Sequence, residues 1–166
     1  MNFLAVDITF QEVPNQVSLV ISFTGCPVRC KGCHTKEMWN ARNGVEFTNA
    51  TFLNLMKKYR GLISCVCFFG GEWDEARLLE LLIIAKNHNL LRCLYTGDEA
   101  VSKEILSELE YLKTGPWIQE LGGLESPLTN QKFINTRTGE LMNEHFQKHT
   151  HLHMRGSHVE THGRTN

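Results

Sequence analysis

Three apolar runs in the first part of the chain each stop at glycine, and that punctuation admits few folds. Residues 17–24 alternate, are rich in β-branched side chains and end at Gly25; residues 62–69 are nearly continuously apolar and end at Gly70-Gly71; residues 90–95 end at Thr96-Gly97. These patterns predict strands, and the unbroken middle run predicts one with helices over both faces. Helical spacing fills the gaps. Thr48 or Asn49 caps a helix carrying Phe52, Leu55, Met56 and Tyr59 and ending near Gly61. Asp74 caps a second that runs to about Asn87 with Leu78, Leu79, Leu82 and Ile83 inward. Residues 98–110 predict a third, with Val101, Ile105 and Leu109 on one side, followed by a short extended segment at 111–113.

Alternating strands and helices call for parallel strands joined by right-handed crossovers, with ligands gathered at the strand C-terminal ends. About four such units fit before the pattern dissolves at Gly115-Pro116, too few for an eight-unit barrel. The fold expected is therefore α/β: a partial, open (βα) barrel with parallel strands and outer helices, one domain over residues 1–142. Residues 143–166 are polar, hold most of the histidines and read as a flexible tail. His149, His151 and His153 alternate there, but a solvated end is the plainer explanation.

Charge and hydropathy exclude several functions. With 17 basic and 18 acidic residues the net charge is -1, so the broad positive field of a nucleic-acid-binding domain is absent. The longest apolar stretches are too short to span a bilayer, and the N-terminal segment lacks the basic and apolar regions of a secretory signal. A cytoplasmic enzyme or binding module is the expectation.

Six cysteines in a chain without an export signal are expected to be reduced. Cys65 and Cys67 fall on one face of a predicted strand and Cys93 on the next, where small buried hydrophobes belong. Cys26, Cys30 and Cys33 differ, because all three lie in one loop that leaves the first strand. Their three- and two-residue spacing lets that loop present a thiolate to each of three irons of a cubane, leaving the fourth iron open; electron-transfer clusters ordinarily use four cysteines. The alternative is a structural zinc or redox module, completed by His34 or by Cys65 and Cys67 at a non-standard spacing.

The CxxxCxxC spacing resembles the radical S-adenosylmethionine superfamily, and Gly70-Gly71-Glu72 at the end of the second strand resembles its cofactor-binding motif. Within it the chain is similar to the activating proteins of the anaerobic ribonucleoside-triphosphate reductase. Residues 10–14, 24–27, 30–34, 95–97 and 113–116 carry that similarity, with Ser126-Pro127 and 129–131 near its end. Gly32, rather than an aromatic residue, precedes the third cysteine, as in that subgroup, which moves adenine contact onto neighbours such as His34. Trp73 follows Glu72 where proline is frequent.

The resemblance implies a radical-type barrel holding a [4Fe-4S] cluster on Cys26, Cys30 and Cys33. It also implies S-adenosylmethionine bound by Gly32, His34, Gly70, Gly71 and Glu72, with the Glu72 carboxylate accepting from the methionine ammonium. The implied activity is reductive cleavage of S-adenosylmethionine to a 5'-deoxyadenosyl radical, which installs a glycyl radical on the reductase. No catalytic acid-base pair is needed beyond the cluster and cofactor ligands. The implied partners are the glycyl-radical reductase subunit and a flavodoxin or ferredoxin as electron donor, with neither nucleic acid nor membrane. Rival targets are another glycyl-radical enzyme, such as pyruvate formate-lyase, or a small molecule of deazapurine synthesis.

Overall fold

The computed structural model describes residues 1–147. Seven strands, β1 (Asn2–Thr9), β2 (Ser18–Phe23), β3 (Val45–Glu46), β4 (Cys65–Phe69), β5 (Leu91–Tyr95), β6 (Tyr111–Thr114) and β7 (Lys132–Asn135), form one sheet in the order β3-β1-β2-β4-β5-β6-β7. The runs that stop at glycine supply β2, β4 and β5. With β6 they make a parallel centre. Expectation and structure part at the margins, where β1 pairs antiparallel with both β2 and β3, and β7 pairs antiparallel with β6. The sheet is mixed, not wholly parallel.

Three helices connect the central strands: α1 (Asn49–Lys58), α2 (Glu75–Asn87) and α3 (Lys103–Ser107). Thr48 caps α1 through its side chain, which accepts from the Thr51 amide. Phe52 and Met56 of α1 are buried, with Leu55 and Tyr59 packed beside them. In α2 the inward face holds Leu78 and Leu82, as predicted, with Leu81 and Ala85 in place of the other two positions; Leu79 is half-buried and Ile83 points out at 47% exposure. Each of those fully buried leucines contributes about 1.5–3 kcal/mol of transfer free energy. The third helix is shorter than its pattern suggests. Its first turn is capped by Ser102, whose hydroxyl accepts from the Ile105 amide, while residues 98–102 form a loop in which the Asp98 carbonyl accepts from Gly115. Ile105 and Leu109 are buried as the spacing predicts.

Period-two alternation divides the core between the two sheet faces. Leu19, Ile21, Phe23, Val66, Phe68 and Leu94 point toward the three helices. Val20, Cys65, Cys67 and Cys93 point the other way, where Val13, Leu124 and Phe133 cover them. Helices over both faces of β4 were expected from its unbroken run. Loops cover the second face instead, which is why a cavity forms there.

At the ends of the strands remote from the cysteine loop, Glu110 bridges Arg92 and Arg137. Arg92 and Glu110 are both nearly buried, so each depends on the other for charge compensation. Of the segment expected to be a tail, Asn143–His145 forms a 3-10 turn, and the Asn143 side chain accepts from the Phe133 amide and donates to the Gln131 carbonyl. Phe146 packs on Phe133 with ring centroids 4.9 Å apart. His149, His151 and His153 lie outside the described residues.

Candidate metal centre

The first strand of the parallel centre, β2, ends at Phe23, and Thr24-Gly25 turn the chain into the cysteine loop. Gly25 has φ +105°, a left-handed conformation that glycine adopts without strain. The amides of Gly25 and Cys26 both donate to the Met38 carbonyl, at 2.7 and 3.0 Å, which closes the loop onto the 3-10 turn Lys36–Trp39. Arg29 sits at φ +49° between the first two cysteines, a left-handed position that costs a non-glycine residue about 1 kcal/mol or more. Such strain is retained where the loop's shape matters. Cys33 donates its amide to the Cys30 carbonyl at 3.1 Å.

All three thiols are unpaired and partly exposed, whereas Cys65, Cys67 and Cys93 are free and buried in the sheet. Burial pushes the Cys26 thiol up, the nearby Val28 and Arg29 backbone amides oppose the shift, and the charges of Glu72 and Cys30 add to it. Among the described residues no three His, Cys, Asp or Glu side chains converge closely enough to chelate a single metal ion. His34, which would complete a zinc set, packs its ring on Trp117 at 4.4 Å between centroids. Cys65 and Cys67, the other possible zinc partners, are occupied in core packing.

Gly70-Gly71-Glu72 follows β4, adjacent in the sheet to β2. Gly70 and Gly71 have φ +78° and +106°. Space reinforces the need for glycine: a Cβ built on Gly70 would lie 2.7 Å from Trp73 Cζ3, and one on Gly25 would lie 3.1 Å from Trp73 Nε1. Trp73 is thus wedged between the cysteine loop and the glycine turn.

Glu72 is the sharpest polar feature at these strand ends. Its Oε1 accepts from the Thr96 hydroxyl at 2.5 Å, while Oε2 is buried without a partner. Burial holds its carboxyl above the usual range, the Thr96 bond opposing and the nearby Asp98 charge adding to the shift. A buried, half-satisfied carboxylate beside Cys26 suits a cationic donor, so the residues fit the ammonium of an amino-acid cofactor.

Beside these loops, on the loop-covered face of the sheet, lies a cavity of about 880 Å³. Cys33 and His34 reach its wall, Phe69 and Tyr95 stack within it at 4.7 Å, and Glu12, Lys113, Trp117 and Gln131 also line it. Cys26, Cys30 and Glu72 do not form part of that wall. Burial lowers the Lys113 ammonium to about 8, with Cys30 opposing the shift. Gly32, at φ +75°, faces the Gln119 carboxamide and Trp117.

Sequence reasoning nominated the cysteines, Gly32, His34 and the Gly-Gly-Glu turn, and the fold gathers them at neighbouring strand ends. It did not nominate Thr96, Lys113 or Trp117 as site residues. Thr96 and Lys113 stand in segments whose resemblance had been noted, and that was the available signal.

The model of the 4Fe-4S single cluster domain family matches residues 16–133, the span from the segment before β2 to β7. The chain belongs to this family. It is also 36% identical over 55 residues to an anaerobic ribonucleoside-triphosphate reductase-activating protein of Enterobacteria phage T4. That match spans 32% of this chain and 35% of the phage protein. The matched family span contains Cys26, Cys30 and Cys33 together with Glu72, Thr96 and Lys113. No helix among the described residues is long and apolar enough to cross a membrane.

Proposed function

We propose that this 4Fe-4S domain is a radical S-adenosylmethionine activase that installs a glycyl radical on an anaerobic ribonucleoside-triphosphate reductase. The observation that carries the reading is the pairing of a three-cysteine loop with the buried, unpartnered Oε2 of Glu72 on the adjacent strand end. The limited similarity to the phage activating protein supports the choice of partner. In this proposal the open sheet is a partial barrel, its helices outside and its loop-covered face turned toward the chemistry.

Cys26, Cys30 and Cys33 would hold the cluster, and Glu72 with the Gly70-Gly71 backbone would hold the amino-acid part of S-adenosylmethionine. Bound there, the cluster and S-adenosylmethionine supply one-electron cleavage of the sulfonium and a carbon radical able to take hydrogen from glycine. The chain's own work is positioning. Thr96 fixes one oxygen of Glu72 and leaves the other for the ammonium. Trp73 locks the glycine turn against the cysteine loop. The apolar cavity wall of Phe69, Tyr95 and Leu124 limits water beside Cys33 and His34. No side chain is assigned a proton-transfer role.

The donor would be a flavodoxin or ferredoxin, because clusters of ferredoxin type require potentials of about -400 mV. The test is to mix the reconstituted, reduced chain with the reductase glycyl-radical subunit and S-adenosylmethionine under anaerobic conditions. Electron spin resonance should detect a glycyl radical on the reductase. Cleavage of S-adenosylmethionine without that radical would reject the partner, and no cleavage at all would reject the activity.

A further inference from the structure

We propose that Lys113 and the backbone N–H of Trp117, brought together by the turn after β6, set the reduction potential of the cluster held by Cys30. The Trp117 amide donates to Cys30 Sγ at 3.3 Å across 87 residues of sequence. That amide is held rigidly. Its peptide partner, the Pro116 carbonyl, accepts from Asn130 Nδ2 at 3.0 Å and Gln131 Nε2 at 3.4 Å. Gly115, at φ +96°, lets the turn approach the Asn130 and Gln131 backbone, which a Cβ would meet at 3.2 Å.

Lys113 adds a full charge to that dipole. It is only 9% exposed, and its Nζ donates to the Gly115 carbonyl at 2.9 Å, leaving further donor capacity. Among the described residues no carboxylate lies within ion-pair distance of it; Glu12 and Glu125 line the same cavity but do not pair with it. Its Nζ is tied to the same short turn whose Trp117 amide reaches Cys30 Sγ. A buried ammonium without a carboxylate is costly unless another negative group compensates it. A thiolate-bound cluster is such a group, and it becomes more negative on gaining an electron. Positive charge and N–H donors beside a cluster sulfur stabilise the reduced form and raise the potential.

This inference rests on the cluster-binding part of the proposed function and is independent of S-adenosylmethionine cleavage. The full chain is reconstituted with iron and sulfide, and its potential is read by redox titration followed by electron spin resonance for wild type, Lys113→Met and Lys113→Arg. The Met variant should lose at least about tenfold in the equilibrium constant for reduction, 59 mV more negative for one electron, with Arg near wild type. Loss of the cluster from Met but not Arg also supports the counter-charge role. An unchanged potential in a loaded Met variant overturns it, including the case where only affinity for S-adenosylmethionine falls because Lys113 serves a small-molecule carboxylate. Cluster loss from both variants overturns it too, since packing rather than charge would then govern retention. A wild-type chain that takes up no cluster instead refutes the proposed function.

Discussion

Replacing Gly70 with alanine tests whether the glycine turn and the cysteine loop are mechanically linked through Trp73. Two costs are separable. At φ +78° a Cβ is disfavoured by about 1–2 kcal/mol irrespective of its surroundings. The same Cβ would also lie 2.7 Å from Trp73 Cζ3, so the indole must move or the turn must open, an overpacking cost of about 1–3 kcal/mol. Gly70→Ala should therefore destabilise the cluster-free chain by about 2–5 kcal/mol, read as a lower urea midpoint with an unchanged slope. In a Trp73→Ala background the clash disappears while the backbone cost remains, so the same substitution should cost only about 1–2 kcal/mol. The double-mutant cycle isolates the wedge as a coupling of about 1–3 kcal/mol. Additive effects would refute the linkage through Trp73.

Glu72→Gln should keep the cluster but weaken S-adenosylmethionine binding by about 10–100-fold, the loss of one charged hydrogen bond, measured by anaerobic equilibrium binding. Because burial raises the folded carboxyl above its unfolded value, ionised Glu72 opposes folding at neutral pH. The stability gain of Glu72→Gln over wild type should be largest above the folded pKa and shrink as pH falls through it, checked by urea titrations at several pH values. Single alanine replacements of Cys26, Cys30 or Cys33 should abolish bound iron with little change in cluster-free stability, whereas Cys67→Ala should keep iron and lose about 1–2 kcal/mol by core truncation; iron analysis and urea unfolding separate the two groups. Glu110→Ala leaves Arg92 buried without its partner and should cost about 3–5 kcal/mol of unfolding free energy.

The central strands were legible because parallel strands buried on both faces are continuously apolar and must end in a turn, as β4 does at Gly70. The flanking strands were not. Residues of β1 are mostly half-buried or exposed, and β7 has only four residues, so neither carries a strong pattern. α2 was found but rotated, because its apolar residues exceed one stripe and tertiary packing chose Leu81 and Ala85 over Ile83. The cysteine loop and Gly-Gly-Glu turn declared themselves through spacing and through their place at the ends of successive parallel strands. Trp117 reaches Cys30 only through the fold, and the functional weight of Lys113 comes from burial, which spacing does not encode.

The most direct test of the central claim is anaerobic reconstitution with iron and sulfide, followed by reduction in the presence of S-adenosylmethionine and quantitation of 5'-deoxyadenosine. The account predicts about four irons per chain in a three-cysteine cluster and 5'-deoxyadenosine formation that disappears in Cys30→Ala. A colourless chain with stoichiometric zinc, or a loaded cluster that releases no 5'-deoxyadenosine, would contradict it.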